Sequence, residues 1–223
     1  PEGATYRAAK EEFVARTPLP LTDAVVGKDG ALYFTVGGRG TQSELFRVVY
    51  TGDEPTSPVD AQNDEGKQLR ALRRQLEALH ASGPNDGKAL DLIFQNLGHE
   101  DCFIRYAARV ALEHRDPKLW REKVLAMDDP SARINGAIAV ARQAESALQL
   151  KVLNALQELS FEKLSKTQKL ELLRAYALTF IRMGEPEDAV AREIAQSLDP
   201  NYPAGDEQLN AELCQLLVYL QSH

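Results

Sequence analysis

The chain has 223 residues, 43% of them apolar, with 26 Lys and Arg against 33 Asp and Glu and a net charge of −7, which suits a packed globular protein of one large or two small domains. That acidic balance excludes the whole chain as a natural polyanion binder, though it leaves room for a local basic stripe. No apolar run approaches the ~20 residues of a membrane span and no signal peptide opens the chain, so no membrane insertion is expected.

In chain order, residues 1–52 read as a small antiparallel β meander. Pro1 stands first without a Met, so a processed or excised piece is expected. The stretch AAKEEFVA, ahead of Pro18 and Pro20, suits one helical turn or an extended run. Asp23 to Gly27 is a short apolar run, and Asp29-Gly30 predicts a two-residue hairpin turn. Ala31 to Val36 is the next strand, with Leu32, Phe34 and Val36 on one face. Glu44 to Thr51 is a third strand, with Phe46, Val48 and Tyr50 opposing Leu45, Arg47 and Val49. These apolar side chains need a cover, and docking on the first helices is expected to supply it.

Between the second and third strands, Gly38-Arg39-Gly40 nearly reads as a phosphate cradle. A cradle needs a helix that starts at the loop, whereas the residues after this loop carry the strand pattern ELFRVVYT. The glycines are therefore expected to make a turn, with Arg39 a candidate anion contact.

Residues 53–64, rich in Pro and acidic or amide side chains, read as a linker, and residues 65–223 as helices. Leu69, Leu72, Leu76 and Leu79 form the first stripe, stopped at Gly83-Pro84. The second runs from Ala89 to Leu97 and stops at Gly98. The next span Asp101–His114, Pro117–Met127, Pro130–Ala144 and Glu145–Leu159. Ser165–Met183, closed by Gly184, Pro186–Leu198 and Asp206–Leu220 complete the set. Short connections predict antiparallel neighbours.

Two of these helices share a pattern. Asp101, Arg105, Ala108 and Ala111-Leu112 have the same spacing as Asp129, Arg133, Gly136 and Ala139-Val140. The Asp suits a helix start. The Arg, one turn on, is expected to salt-bridge the Asp of its own or the next repeat. The small residues permit close helix approach. Together these predict a mainly α fold, a solenoid of antiparallel helix pairs forming an α-α superhelix. The last helix has Asn210, Leu213 and Leu216-Leu217 at these offsets, which suits a terminal element.

The chemistry-bearing residues are sparse. Cys102 and Cys214 lie in apolar helical patterns and read as buried free thiols, with a single bridge left open. His80, His99, His114 and His223 show no metal-ligand spacing, and the chain has no CxxCH and no GxSxG. Neither catalytic nor cofactor-binding nor metal residues are assigned. Arg70, Arg73 and Arg74, with Lys67, make a basic helix face that is a candidate contact for an acidic partner, and Arg105 and Arg109 make another.

Three stretches carry a resemblance. LPLTDAVVGKDGALYFTVGGRGTQSELFRVVYTG resembles the final blade of a β-propeller of the soluble sugar dehydrogenase type, and EDCFIRYAARVALEHRD resembles a HEAT repeat. LELLRAYALTFIRMG with DPNYPAGDEQLNAELCQLLVYL is similar to a segment of large secreted planctomycete proteins described as membrane-bound dehydrogenases or haem-binding-domain proteins. The likeness is specific over residues 18–52 and 99–220 and weak over 53–98.

It implies a HEAT-like spacer between a propeller and a cytochrome c-like domain, in an extracytoplasmic protein. Partners would be neighbouring domains of that parent or another protein, with no nucleic acid expected. Haem c or quinone would belong to the parent and none to this chain. Two rival readings stand open: part of a quinone-dependent sugar dehydrogenase, with Arg39 and Tyr33 the first residues to suspect, or a nucleic-acid-binding HEAT-like protein.

Overall fold

The computed structural model describes residues 2–55, 57, 64–81, 87–143 and 145–221. Pro1, residues 56 and 58–63 of the expected linker, the Gly83-Pro84 stop, Ala144 and His223 lie outside them. The chain divides into two units: Arg7–Asn63, and Pro1–Tyr6 together with Asp64–His223.

In Arg7–Asn63 three antiparallel strands succeed one another: β1 (Leu21–Val26), β2 (Leu32–Gly38) and β3 (Thr41–Val48). Alternation puts Leu32, Phe34 and Val36 of β2 on the face they share with Phe46 and Val48 of β3. Phe34 pairs with Phe46 in register and the rings stack 4.9 Å apart. Asp29-Gly30 does not make a two-residue turn by itself. It sits in a longer loop closed by Gly27 N donating to the Ala31 carbonyl at 2.8 Å. Asp29 Oδ1 accepts from Ala31 N, so the aspartate braces the loop and strand pairing begins outside it. Gly30, at φ 76°, occupies the left-handed region that glycine enters freely. The third strand starts earlier than its alternation suggests, because the tight turn lets Gly38 pair with Thr41. Among the described residues of 1–20, the one bridge joins Glu2 and Thr5.

The second unit is helical. Its helices among the described residues are α1 (Lys67–Glu77), α2 (Gly87–Asn96), α3 (Cys102–Glu113), α4 (Arg121–Leu125), α5 (Pro130–Gln143), α6 (Gln149–Gln157), α7 (Lys166–Met183), α8 (Asp188–Leu198) and α9 (Glu207–Gln221). The expected fourth helix is broken. Asp116 caps a single 3-10 turn over Pro117–Leu119, and Trp120 then turns inward, 1% exposed, with its indole N–H donating to the Arg115 carbonyl at 3.2 Å. Burying the large ring interrupts the helical course, and only five residues of α4 come after it. The sixth likewise opens with a 3-10 turn, Ser146–Leu148. Ser165 and Gln168 close a reciprocal capping box on α7.

One set of helices packs in succession. α1 packs on α3, α3 on α5, α5 on α7 and α7 on α9. In addition α2 packs on α3, α4 on α5, α6 on α5 and α7, and α8 on α9. α5 lies at the centre and is buried nearly throughout. Small side chains make this possible: Ala108, Ala111 and Ala139 are fully buried, and Gly136 lies against Val124. An added Cβ on Gly136 would come within 2.5 Å of the Val124 Cβ. The amino-terminal residues belong to this unit too, with Ala4 buried and its N–H donating to Asp101 Oδ2 at 2.8 Å. None of the helices among the described residues is long and apolar enough to cross a membrane.

Candidate functional site

The glycine-rich stretch is a hairpin turn. Arg39 and Gly40 join β2 to β3, with Gly40 at φ 77° and Arg39 exposed. No helix starts there, so the oriented backbone N–H groups of a phosphate cradle are replaced by a β-ladder.

The matched residues of α3 and α5 come together differently from the expectation. Asp101 caps α3, accepting from Phe103 N at 2.9 Å, and Asp129 accepts from Ala132 N at 2.7 Å at the start of α5. The arginines do not bridge these aspartates. Arg105 donates to the carbonyls of His99 and Glu100 at 2.7 and 2.9 Å, and to Glu171 Oε1 on α7 at 2.8 Å. Arg133 donates to the Met127 carbonyl at 2.7 Å and to Glu158 Oε2 at 2.8 Å. Each Asp accepts backbone N–H at its helix start, and the arginines reach other acceptors. The loop carbonyls just upstream need donors, and a guanidinium presents several in one plane. Each arginine thus clasps the loop before its helix and ties it to a later element.

The last helix keeps the clasp with another residue. Asp206 accepts from Leu209 N at 3.0 Å, and Asn210 exchanges two hydrogen bonds with the backbone of Ala204, at 2.6 and 2.7 Å. The spacing from cap to clasp is visible in the sequence, but the change from Arg to Asn hides the shared role. Arg115 has no such spacing to mark it; it is buried and donates to the carbonyls of Leu79 and Ala81, at 3.1 and 3.3 Å, where the first helical segment ends.

The basic face of α1 is largely engaged within its own unit. Arg70 donates to the Glu65 carbonyl and lies over the Tyr6 ring; Arg73 pairs with Glu77 and lies over the Phe103 ring. Arg74 is exposed. On α3, Arg109 shares Glu113 with Arg142 of α5, at 2.6 and 2.9 Å. The Glu113 side chain is only 6% exposed, and it holds the Arg142 guanidinium above its ordinary pKa.

Two recesses open on the row of α3, α5, α7 and α9. One, of about 200 Å³, lies among Cys102, Tyr106, Arg109, Ile138 and Glu171. Glu171 Oε2 is buried there and has no hydrogen-bond partner among the described residues. The other, of about 230 Å³, lies between α7 and α9 and is mostly apolar, with Phe180, Ile181 and Tyr219 in its wall. Burial pushes the nearby Tyr176 hydroxyl well above its usual pKa, so it stays protonated.

Cys102 and Cys214 are both free and both exposed, which corrects the expectation of buried thiols. Each falls on the outward stripe of its helix, a turn away from an exposed apolar neighbour, Tyr106 or Val218. That neighbour makes the stripe look like core in a one-dimensional pattern. His80 and His114 stack 6.3 Å apart, and His99 Nδ1 accepts from Asp101 N. Among the described residues, no cluster of three His, Cys, Asp or Glu side chains could hold a metal ion. No protein-family model, curated protein or solved structure matches the chain.

Proposed function

We propose that this chain is a non-catalytic interaction and spacer module, a HEAT-like α-solenoid preceded by a small β meander. The observation that supports it is the recurrence of one clasp at α3, α5 and α9, helices that belong to one row of successive contacts. A stacked repeat buries its apolar faces on its neighbours and leaves the outside of one row for a partner. In the proteins that the sequence resembles, such a rod would hold a sugar-dehydrogenase-like propeller at a set distance from a cytochrome c-like domain outside the cytoplasm. Haem c or quinone would then sit in those flanking domains.

The purified chain, given sugars, calcium, a quinone cofactor and a dye acceptor, is expected to reduce no dye. Turnover that depends on the quinone would overturn the reading.

A further inference from the structure

We propose that the outer face of α3, α5 and α7 binds an acidic, extended peptide segment with an apolar side chain at every third position. This rests on the interaction-module reading and gives its partner a chemistry. The chain carries a net charge of −7, yet α1, α3, α5 and α7 together hold twelve Lys and Arg against three Glu. Arg105 and Arg133 are buried and spent on loop carbonyls, so on α3, α5 and α7 the surface excess rests on residues such as Arg142, Arg174 and Arg182.

Its pattern repeats from helix to helix. Tyr106 is succeeded by Arg109, Ile138 by Arg142, and Leu178 by Arg182. Steps of three or four residues put both members of each pair on one stripe. The cationic ends lie side by side: Arg109 and Arg142 share Glu113, and Arg182 donates to the Arg142 carbonyl at 3.4 Å. With Glu171 paired to Arg105, these three guanidinium groups face one further carboxylate, that of Glu113, which leaves a net positive row, and planar guanidinium groups suit carboxylates. Beside that row run the apolar members, with Tyr106 59% exposed.

Geometry sets the spacing of the occupant. Packed helices lie ~8–10 Å apart. A polyproline II segment advances ~3.1 Å per residue with three residues per turn, so every third side chain points one way at about 9 Å intervals. Such a segment crossing the helices sets one apolar side chain against each and turns its carboxylates to the arginines. A nucleic acid would satisfy the arginines but would leave the apolar row unused.

Fluorescence anisotropy with the full chain tests this, using a labelled peptide of repeating Leu-Pro-Glu triplets. Saturable binding is expected, weakened about tenfold or more by Tyr106→Asp, by Arg182→Glu, or by changing every peptide Glu to Lys. Circular dichroism melting would establish that both variants remain folded. Absence of saturable binding, equal binding by the lysine peptide or by both variants, or tighter binding of a single-stranded oligonucleotide would each overturn it. A silent peptide without dye reduction rejects this face alone, whereas quinone-dependent turnover rejects the module reading itself.

Discussion

Arg133 donates from Nε to the carbonyl of Met127, six residues before it, at 2.7 Å. Over the same interval Arg105 donates to the His99 carbonyl, and Asn210 to the Ala204 carbonyl. Each contact fastens the connection before a helix to the first turn of that helix, so the entry angle of the chain is set locally. The cap-and-clasp spacing in the sequence thus falls on helices that contact one another in succession, α3 on α5, α5 on α7 and α7 on α9.

Removing the clasp should therefore cost stability. Arg133 is 9% exposed, and Arg133→Met keeps its bulk while leaving the Met127 carbonyl without this donor. A loss of about 1–3 kcal/mol is expected in urea unfolding, the range for an unsatisfied buried acceptor. Asn210→Ala should act in the same direction. A neutral effect of both would show the clasp to be incidental.

Gly136 is where α5 meets α4 most closely. Gly136→Ala places a methyl against Val124 and should destabilise by about 1–3 kcal/mol, the usual cost of overpacking. Val124→Ala in the same chain should recover part of that loss. Strict additivity of the two substitutions, measured in a double-mutant cycle, would contradict the contact.

Much of the fold is legible in the sequence because periodicity and capping are local. The shared face of Leu32, Phe34, Val36, Phe46 and Val48 comes from alternation alone. The starts of α3 and α5 come from Asp101 and Asp129. The illegible features depend on partners distant in sequence. Spacing pairs Arg105 and Arg133 with the wrong acceptors, because it does not record which loop carbonyls lie within reach of each guanidinium. The docking of Ala4 on Asp101 spans 97 residues and leaves no pattern. Trp120 breaks its helix through a tertiary need, the burial of a large ring, that overrides helical preference.

The start of α9 gives a pH signature. Lys166 Nζ donates to Asp206 Oδ2, and the backbone N–H of Leu209 donates to Oδ1, so the Asp206 carboxyl is held below its ordinary pKa. The unfolded chain, titrating near the usual ~3.9, then binds the proton more readily than the folded one. This contribution to stability is complete above that value and is lost as pH falls through the lower folded pKa. Carboxyl NMR should find Asp206 below ~3.9, and Asp206→Asn should shallow the acid limb of the stability profile. A carboxyl titrating at or above the ordinary value would refute the pairing.

The central claim is that the helices are coupled to their nearest neighbours, as in a stacked rod, and the most direct measurement is amide hydrogen exchange on the full chain carrying Leu213→Ala. Leu213 is fully buried in α9, and its truncation should cost about 2–5 kcal/mol locally. Nearest-neighbour stacking predicts faster exchange in α8, α9 and the facing side of α7, with α1 to α3 protected as before. Uniform acceleration from α1 to α9 would mean a single closed core and would contradict the account.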